Sequence, residues 1–311
     1  MPPTQTGTHL DQSAHIRDVI LPERPGNSGS DVRKLMTTYQ YPAVLTIAGS
    51  DSGGGAGIQA DLKTFSALGC FGTSAITAVT VQNTRGVTGI HSIPASVVQG
   101  QIKAVMDDIK PAAIKIGMVH SPELVLAIAA QLKQYQVPVV IDPVMVASSG
   151  DPLIKEETIA LLQQELFPLA LVITPNLDEA QLLTGMSIQN VEEMQAAAQE
   201  LLHTGCRSVL LKGGHLKGAR LFDVYLPRQG EGHVYESAAI QSQNTHGTGC
   251  TLSSAIAAYL AQGFPTVEAI LHARHYVYQA IDQGKDVKTG EGHGPLNHFF
   301  SPQPMQKRQR K

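Results

Sequence analysis

Along most of the chain, apolar runs of strand length alternate with stretches whose apolar residues recur at helical spacing. Residues 43–48 are almost wholly apolar and short, the pattern of a strand buried on both faces. The run breaks into Gly49-Ser-Asp-Ser-Gly-Gly-Gly-Ala-Gly57, after which Ile58, Leu62, Phe65 and Leu68 follow a helical spacing. Further strands are predicted over 74–82, 87–90, 113–116, 137–141, 171–174 and 208–212, with a hairpin or meander over 221–225 and 233–238. Helices are predicted over 97–109, 124–135, 156–166, 178–183, 191–204, 251–262 and 266–284. This alternation predicts an α/β fold with a mainly parallel sheet covered on both faces, in one domain over 41–300.

The flanks read differently. Residues 1–40 are polar and carry prolines, glycines and serines, which predicts a flexible extension with one short helical turn near Val32 to Met36. Residues 301–311 end in a short basic tail, expected to be solvated. The 311 residues are 42% hydrophobic and 16% charged, enough for a large core, and a net charge of -3 gives no electrostatic case for nucleic acid or an anionic membrane. Three cysteines, Cys70, Cys206 and Cys250, offer neither metal-like spacing nor an even set to pair, which fits a reducing compartment. With no apolar run of spanning length and no signal-like N-terminus, the expected location is cytoplasmic.

Polar residues gather where the predicted strands end: Gly49 and Asp51, Gln82 and Asn83, Gly117 and Met118, Asp142, Thr174 and Asn176, and Lys212. Ligands of open α/β sheets bind outside the carboxyl ends of the strands, so these positions are expected to line one crevice. The stretch Asn244-Thr-His-Gly-Thr-Gly-Cys-Thr-Leu-Ser-Ser254 precedes a small-residue apolar run and predicts a helix starting near Gly249. The N-terminus of such a helix is an anion site, and Cys250 within its field is expected to have a lowered thiol pKa. The alternative is a glycine turn capping a packed helix, with a buried, inert cysteine. The loop 49–57 lacks the Gly-Lys-Ser/Thr ending of a P-loop and does not match the dinucleotide fingerprint cleanly. Asp142 and Asn176-Leu-Asp-Glu179 are the metal candidates, magnesium needing only a few protein oxygens beside waters and phosphates. Lys212 before Gly213-Gly214 can meet phosphate, and Gln82 can meet a heteroaromatic edge; each taken alone reads more often as structural. Together they suggest phosphoryl transfer.

Seven ordered motifs support a resemblance. Ala48-Gly-Ser-Asp-Ser-Gly-Gly-Gly-Ala-Gly-Ile-Gln-Ala-Asp-Leu-Lys63, Val81-Gln-Asn-Thr84, Lys115-Ile-Gly-Met118, Asp142-Pro-Val-Met145, Thr174-Pro-Asn-Leu-Asp-Glu179, Leu211-Lys-Gly-Gly-His215 and Asn244-Thr-His-Gly-Thr-Gly-Cys250 resemble the bifunctional hydroxymethylpyrimidine/phosphomethylpyrimidine kinases of thiamine biosynthesis. These belong to the ribokinase-like superfamily, and the likeness covers roughly 43–300. It implies a three-layer sandwich and two ATP- and Mg2+-dependent steps, hydroxymethylpyrimidine to its monophosphate and then to the diphosphate. It further implies that Gln82 holds the aminopyrimidine edge, with Gly49, Asp51, Ala56, Met118 and Val144 at that pocket. Gly247, Thr248 and Gly249 would form the anion hole, and Cys250 would stand where most of the superfamily has an aspartate base. Asn176, Lys212 and Thr245 would face ATP, with Asp142 and Glu179 near magnesium. A homodimer is expected, no second domain is expected that would mark a fusion with a later thiamine enzyme, and the extension of about 40 residues is unmatched. The competing readings are a pyridoxal kinase of vitamin B6 salvage, against which Gln82 argues, and a ligand sensor that has lost phosphoryl transfer.

Overall fold

A computed structural model describes residues 38–145, 154–214 and 220–309. In chain order, β1 (Tyr39–Gln40) and β2 (Ala43–Ser50) lead into α1 (Gly57–Ala67). The hairpin of β3 (Phe71–Asn83) and β4 (Gly86–Ser92) follows, then α2 (Ala95–Asp108), β5 (Ala113–Ile116), α3 (Pro122–Leu132) and β6 (Val139–Ile141). Next come α4 (Glu156–Leu161), β7 (Val172–Ile173), α5 (Leu177–Thr184), α6 (Val191–Leu202) and β8 (Ser208–Lys212). The hairpin β9 (Arg220–Pro227) and β10 (His233–Ala238) precedes α7 (Thr248–Ala261), α8 (Thr266–Asp282) and β11 (Arg308–Gln309).

Nine strands form one sheet in the order β10-β9-β8-β7-β6-β5-β2-β3-β4. The pairings from β3 through β2, β5, β6 and β7 to β8 are parallel; β4, β9 and β10 are added antiparallel. Because successive strand residues face opposite sides, each central strand divides its apolar residues between two cores. Leu45, Ile47, Ile114, Ile116, Ile141 and Ile173 pack with α2, α3, α5 and α6. Val44, Ala113, Val140, Val172 and Leu210 pack with α1, α7 and α8. That is the three-layer sandwich, and it explains why the strands read as unbroken apolar runs.

Most predicted elements appear within a few residues of their predicted limits. The stretch predicted as one helix over 156–166 is α4 followed by a π turn at Leu162–Leu166 and a 3-10 turn at Phe167–Leu169, where Pro168 cannot continue an α-helix. The C-terminal tail also differs from expectation. Its side chains are largely exposed, but Arg308–Gln309 pair with Tyr39–Gln40 and the Gln303 N–H donates to the Ala67 carbonyl. The compact unit begins at Tyr39. The helical turn expected near Val32 and the extension's flexibility lie outside the described residues, as does His215 of the sixth motif.

Candidate active site

The carboxyl ends of the parallel strands converge on the start of α7. Its N-cap, Gly247, has φ +85, and a Cβ there would stand 1.9 Å from the Gly55 carbonyl oxygen. Only glycine permits that backbone and that approach, so the loop over 49–57 and the turn before α7 lie directly on one another. Gly55 is crowded by the His246 ring, 2.4 Å from where its Cβ would be, whereas Gly49 meets only the movable end of the Met118 side chain at 2.6 Å. A glycine N-cap has no side-chain oxygen to offer; the Thr248 N–H turns back to the Thr245 carbonyl at 3.2 Å, and the N–H groups of Gly249 and Cys250 keep their capacity for an anion.

Asp51 builds the loop from inside. Its carboxylate accepts the N–H groups of Gly53 (2.8 Å), Gly55 (3.0 Å) and Ala56 (2.8 Å), and its Oδ2 lies 2.9 Å from His246 Nε2. Burial opposes its ionisation, yet the His246 contact and the Ala56 and Gly53 N–H groups outweigh that and hold its pKa below the ordinary value. Asp51 is therefore committed to shaping the loop, and only 2% of its surface is exposed. The Gln82 carboxamide, near the end of β3, lies 3.1 Å from the Thr80 hydroxyl and 3.4 Å from His246 Nε2. Gln82, Asp51 and the turn before α7 thus meet through His246, a residue of the quoted motif to which no role was assigned.

Opposite, Lys212 Nζ donates to Asp142 Oδ1 at 2.9 Å, and Thr174 Oγ1 donates to the same oxygen at 3.1 Å. Both ends of the pair lie against the first turn of α7: a Cβ on Gly249 would be 3.1 Å from Lys212 Nζ and 3.2 Å from Asp142 Oδ2. Burial disfavours the Lys212 charge, but Asp142 and Glu179 raise its pKa above the ordinary lysine value. Asn176 and Glu179 form a reciprocal capping box at the start of α5, with bonds of 2.8 and 2.9 Å. Burial pushes the Glu179 carboxyl up to about 7; Lys212 opposes that rise and the Asp142 charge adds to it. Among the described residues no group of three His, Cys, Asp or Glu side chains is arranged to hold a metal. Two carboxylates of which one is charge-stressed do fit a magnesium ion that draws its other ligands from phosphates and water.

Cys250 requires a correction. Its thiol was expected to be acidified by the helix N-terminus; instead burial pushes it up to about 11, against the opposing pull of Lys115. Behind it lies a fully buried pair missed as such in the sequence: Lys115 Nζ sits 2.9 Å from both Asp61 oxygens, which also accept Thr46 Oγ1 (2.6 Å) and Ser254 Oγ (2.7 Å). Both residues stood in quoted motifs, but nothing local marks them as partners. Of the remaining expected residues, Val144 is half-buried just past Asp142, with its N–H on the Asp142 carbonyl at 2.8 Å. Thr245 is exposed, and its carbonyl accepts the Thr248 hydroxyl at 2.7 Å.

A glycine-capped helix start facing a lysine–aspartate pair across the ends of a parallel sheet defines a small-molecule kinase of ribokinase-like fold. The family model for phosphomethylpyrimidine kinase matches residues 51–297, and the chain belongs to that family. The hydroxymethylpyrimidine/phosphomethylpyrimidine kinase of Rhizobium meliloti is 52% identical over 257 residues, covering 82% of this chain and 96% of that protein. The thiamine biosynthesis bifunctional protein ThiED of Geobacter sulfurreducens is 50% identical over 302 residues; the match covers 96% of this chain but 61% of that protein. It therefore reaches into the extension, which was expected to be unmatched. Among solved structures, phosphomethylpyrimidine kinase from Clostridium difficile 630 aligns with TM-score 0.69 and 47% identity, over 77% of this chain and 99% of that one. An ADP complex of Bacillus subtilis pyridoxal kinase aligns with TM-score 0.77 and 37% identity, over 83% of this chain and 98% of that one. Backbone shape is thus common to both substrate classes, while sequence identity favours the pyrimidine kinases.

Proposed function

We propose that this chain transfers the γ-phosphoryl group of ATP to 4-amino-5-hydroxymethyl-2-methylpyrimidine and then to the resulting monophosphate, yielding the diphosphate used in thiamine biosynthesis. The observation that carries the reading is the start of α7: Gly247 seated on the Gly55 carbonyl, with Lys212 and Asp142 against the first turn. The N–H groups of Gly247, Gly249 and Cys250 offer the donors, and Lys212 the positive charge, that a loose phosphoryl transition state needs, while the Thr248 N–H is held by the Thr245 carbonyl at 3.2 Å. Asp142 and Glu179 would hold Mg2+, mostly through water, and the ion would neutralise phosphate charge. Gln82 orients the pyrimidine between Met118, Ala56 and Val144, while Asn176, Lys212 and Thr245 lie toward ATP.

Cys250 is the proton acceptor for the alcohol in the first step. With the thiol near 11 it is mostly protonated at neutral pH, so it acts through a minor thiolate fraction beside the Lys115 charge. A phosphate monoester is already ionised near neutrality and needs no such base. The protein works as a homodimer in the cytoplasm; no helix among the described residues is long and apolar enough to cross a membrane.

The test is incubation with MgATP and, separately, hydroxymethylpyrimidine, its monophosphate and pyridoxal, with products read by mass. Diphosphate from both pyrimidines with little pyridoxal phosphate is expected. Turnover of pyridoxal alone would refute the reading and move the enzyme to vitamin B6 salvage.

A further inference from the structure

The two ends of a carboxamide are told apart by counting hydrogens around them. Thr80, buried on β3, has one hydroxyl hydrogen and two acceptors facing it, the Ser50 carbonyl oxygen at 2.7 Å and the Gln82 Oε1 position at 3.1 Å, and it cannot serve both unless the amide is turned over. A carbonyl can only accept, so the hydrogen goes to Ser50, and the Thr80 oxygen then offers Gln82 lone pairs alone. His246 Nε2 faces a carboxylate oxygen of Asp51 at 2.9 Å, so it carries a hydrogen whatever the charge of the ring. That hydrogen is committed to Asp51, so His246 Nε2 has no lone pair for the Gln82 end 3.4 Å away, where Nε2 of the amide is placed, and an amino group there would face an N–H. The Thr80 count and this one both favour the amide turned over.

We infer that Thr80 and His246 lock the Gln82 carboxamide with its amino group toward Thr80 and its carbonyl oxygen toward His246, making these two residues determinants of substrate specificity. The inference rests on Gln82 being the residue that meets the pyrimidine. One N–H and one carbonyl lone pair remain for substrate, the donor at the Thr80 end and the acceptor at the His246 end. A ring nitrogen beside an exocyclic amino group matches that edge when the amino group lies on the His246 side. A substrate presenting two acceptors, such as the phenolate and aldehyde oxygens of pyridoxal, sets one of them against the fixed carbonyl. An amide free to turn over would present its donor at either end and discriminate less; a site built around a fixed hydrogen bond rejects the mismatched analogue. Asp51 thus acts on specificity at one remove, by requiring the hydrogen on His246.

Two measurements decide the matter. In protein with 15N-labelled glutamine side chains, the Gln82 amide protons should show nuclear Overhauser contacts to the Thr80 methyl group; contacts to the His246 ring protons instead would overturn the orientation. Kinetically, His246→Leu should raise KM for hydroxymethylpyrimidine about five- to tenfold, the size of one hydrogen bond, and leave KM for ATP unchanged. Its preference for pyrimidine over pyridoxal should fall, and His246→Gln, which returns an N–H to the position of Nε2, should restore both. If Gln82→Ala raises the pyrimidine KM but His246→Leu does not, the lock is wrong and the role of Gln82 stands. If Gln82→Ala leaves that KM unchanged, the role of Gln82 falls and the inference with it. The spectroscopic arm uses the native protein and reads the orientation even if a variant fails to fold.

Discussion

Gly247→Ala puts the largest effect into the smallest change. The added Cβ would stand 1.9 Å from the Gly55 carbonyl oxygen, 2.8 Å from its carbonyl carbon and 3.2 Å from Ala56 Cα, all of it backbone that cannot rotate away. Contacts of this kind do not fall below 3.0 Å, so the loop over 49–57 and the start of α7 must part by about 1.1 Å. A displacement of about 1 Å at a reacting centre costs roughly a hundredfold in rate. The residue also sits at φ +85, where alanine costs about 1–2 kcal/mol. Gly185→Ala is the matched control: φ is +71, it caps the far end of α5, and a Cβ there meets nothing within 4 Å. It should lower the melting temperature by a few degrees, about the cost of the positive φ alone, with kcat untouched. ADP release would be followed with hydroxymethylpyrimidine and with its monophosphate, because the proposed anion hole would serve both steps. Gly247→Ala retaining kcat within about threefold of the native enzyme on either substrate would refute the claim that the two loops must touch to build the site.

Cys250→Ala should slow phosphorylation of the alcohol more than that of the monophosphate, and in the native enzyme the first rate should rise toward tenfold per pH unit from about 7 to 9; equal losses in both steps would leave Cys250 a structural or anion-hole residue. Glu179 has a folded pKa of about 7 against an ordinary 4.5, so its protonated form favours the fold below about 4.5 and that contribution is lost as pH rises through about 7. Calorimetry without magnesium should show the native protein losing stability over that window relative to Glu179→Gln, and parallel pH profiles would dismiss the charge stress. Lys115→Met leaves the Asp61 carboxylate buried without its cation and should cost about 3–5 kcal/mol in urea unfolding; a loss below about 1 kcal/mol would mean the pair does not hold the layers together. Gly100→Ala, mid-helix in α2 with open space around it, should add about 0.5–1 kcal/mol, and a lower melting temperature would contradict that geometry.

The buried strands were legible because a sheet covered on both faces makes each strand apolar throughout, and β5 and β8 fall where they were predicted. The turn before α7 was legible because Gly247 is required by the backbone itself, and a backbone requirement is written where it acts. The expectation for Cys250 failed for the complementary reason. A helix N-terminus is a local feature that a sequence displays, whereas desolvation depends on everything packed around the thiol, and here desolvation wins.

What the chain determined by itself is therefore its alternation of strands and helices, the glycine turns at the crevice, and the ordered motifs that mark its family. What only the tertiary structure decided is which polar side chains answer one another across it. Asp61 finds Thr46, Lys115 and Ser254, and His246 joins Asp51 to Gln82, from opposite ends of the chain. Periodicity along a sequence records which face a residue turns to the core, because burial repeats with the element's geometry. It carries no record of the partner across that core, because a hydrogen bond depends on distance in space, and distance in space is set only when the layers close.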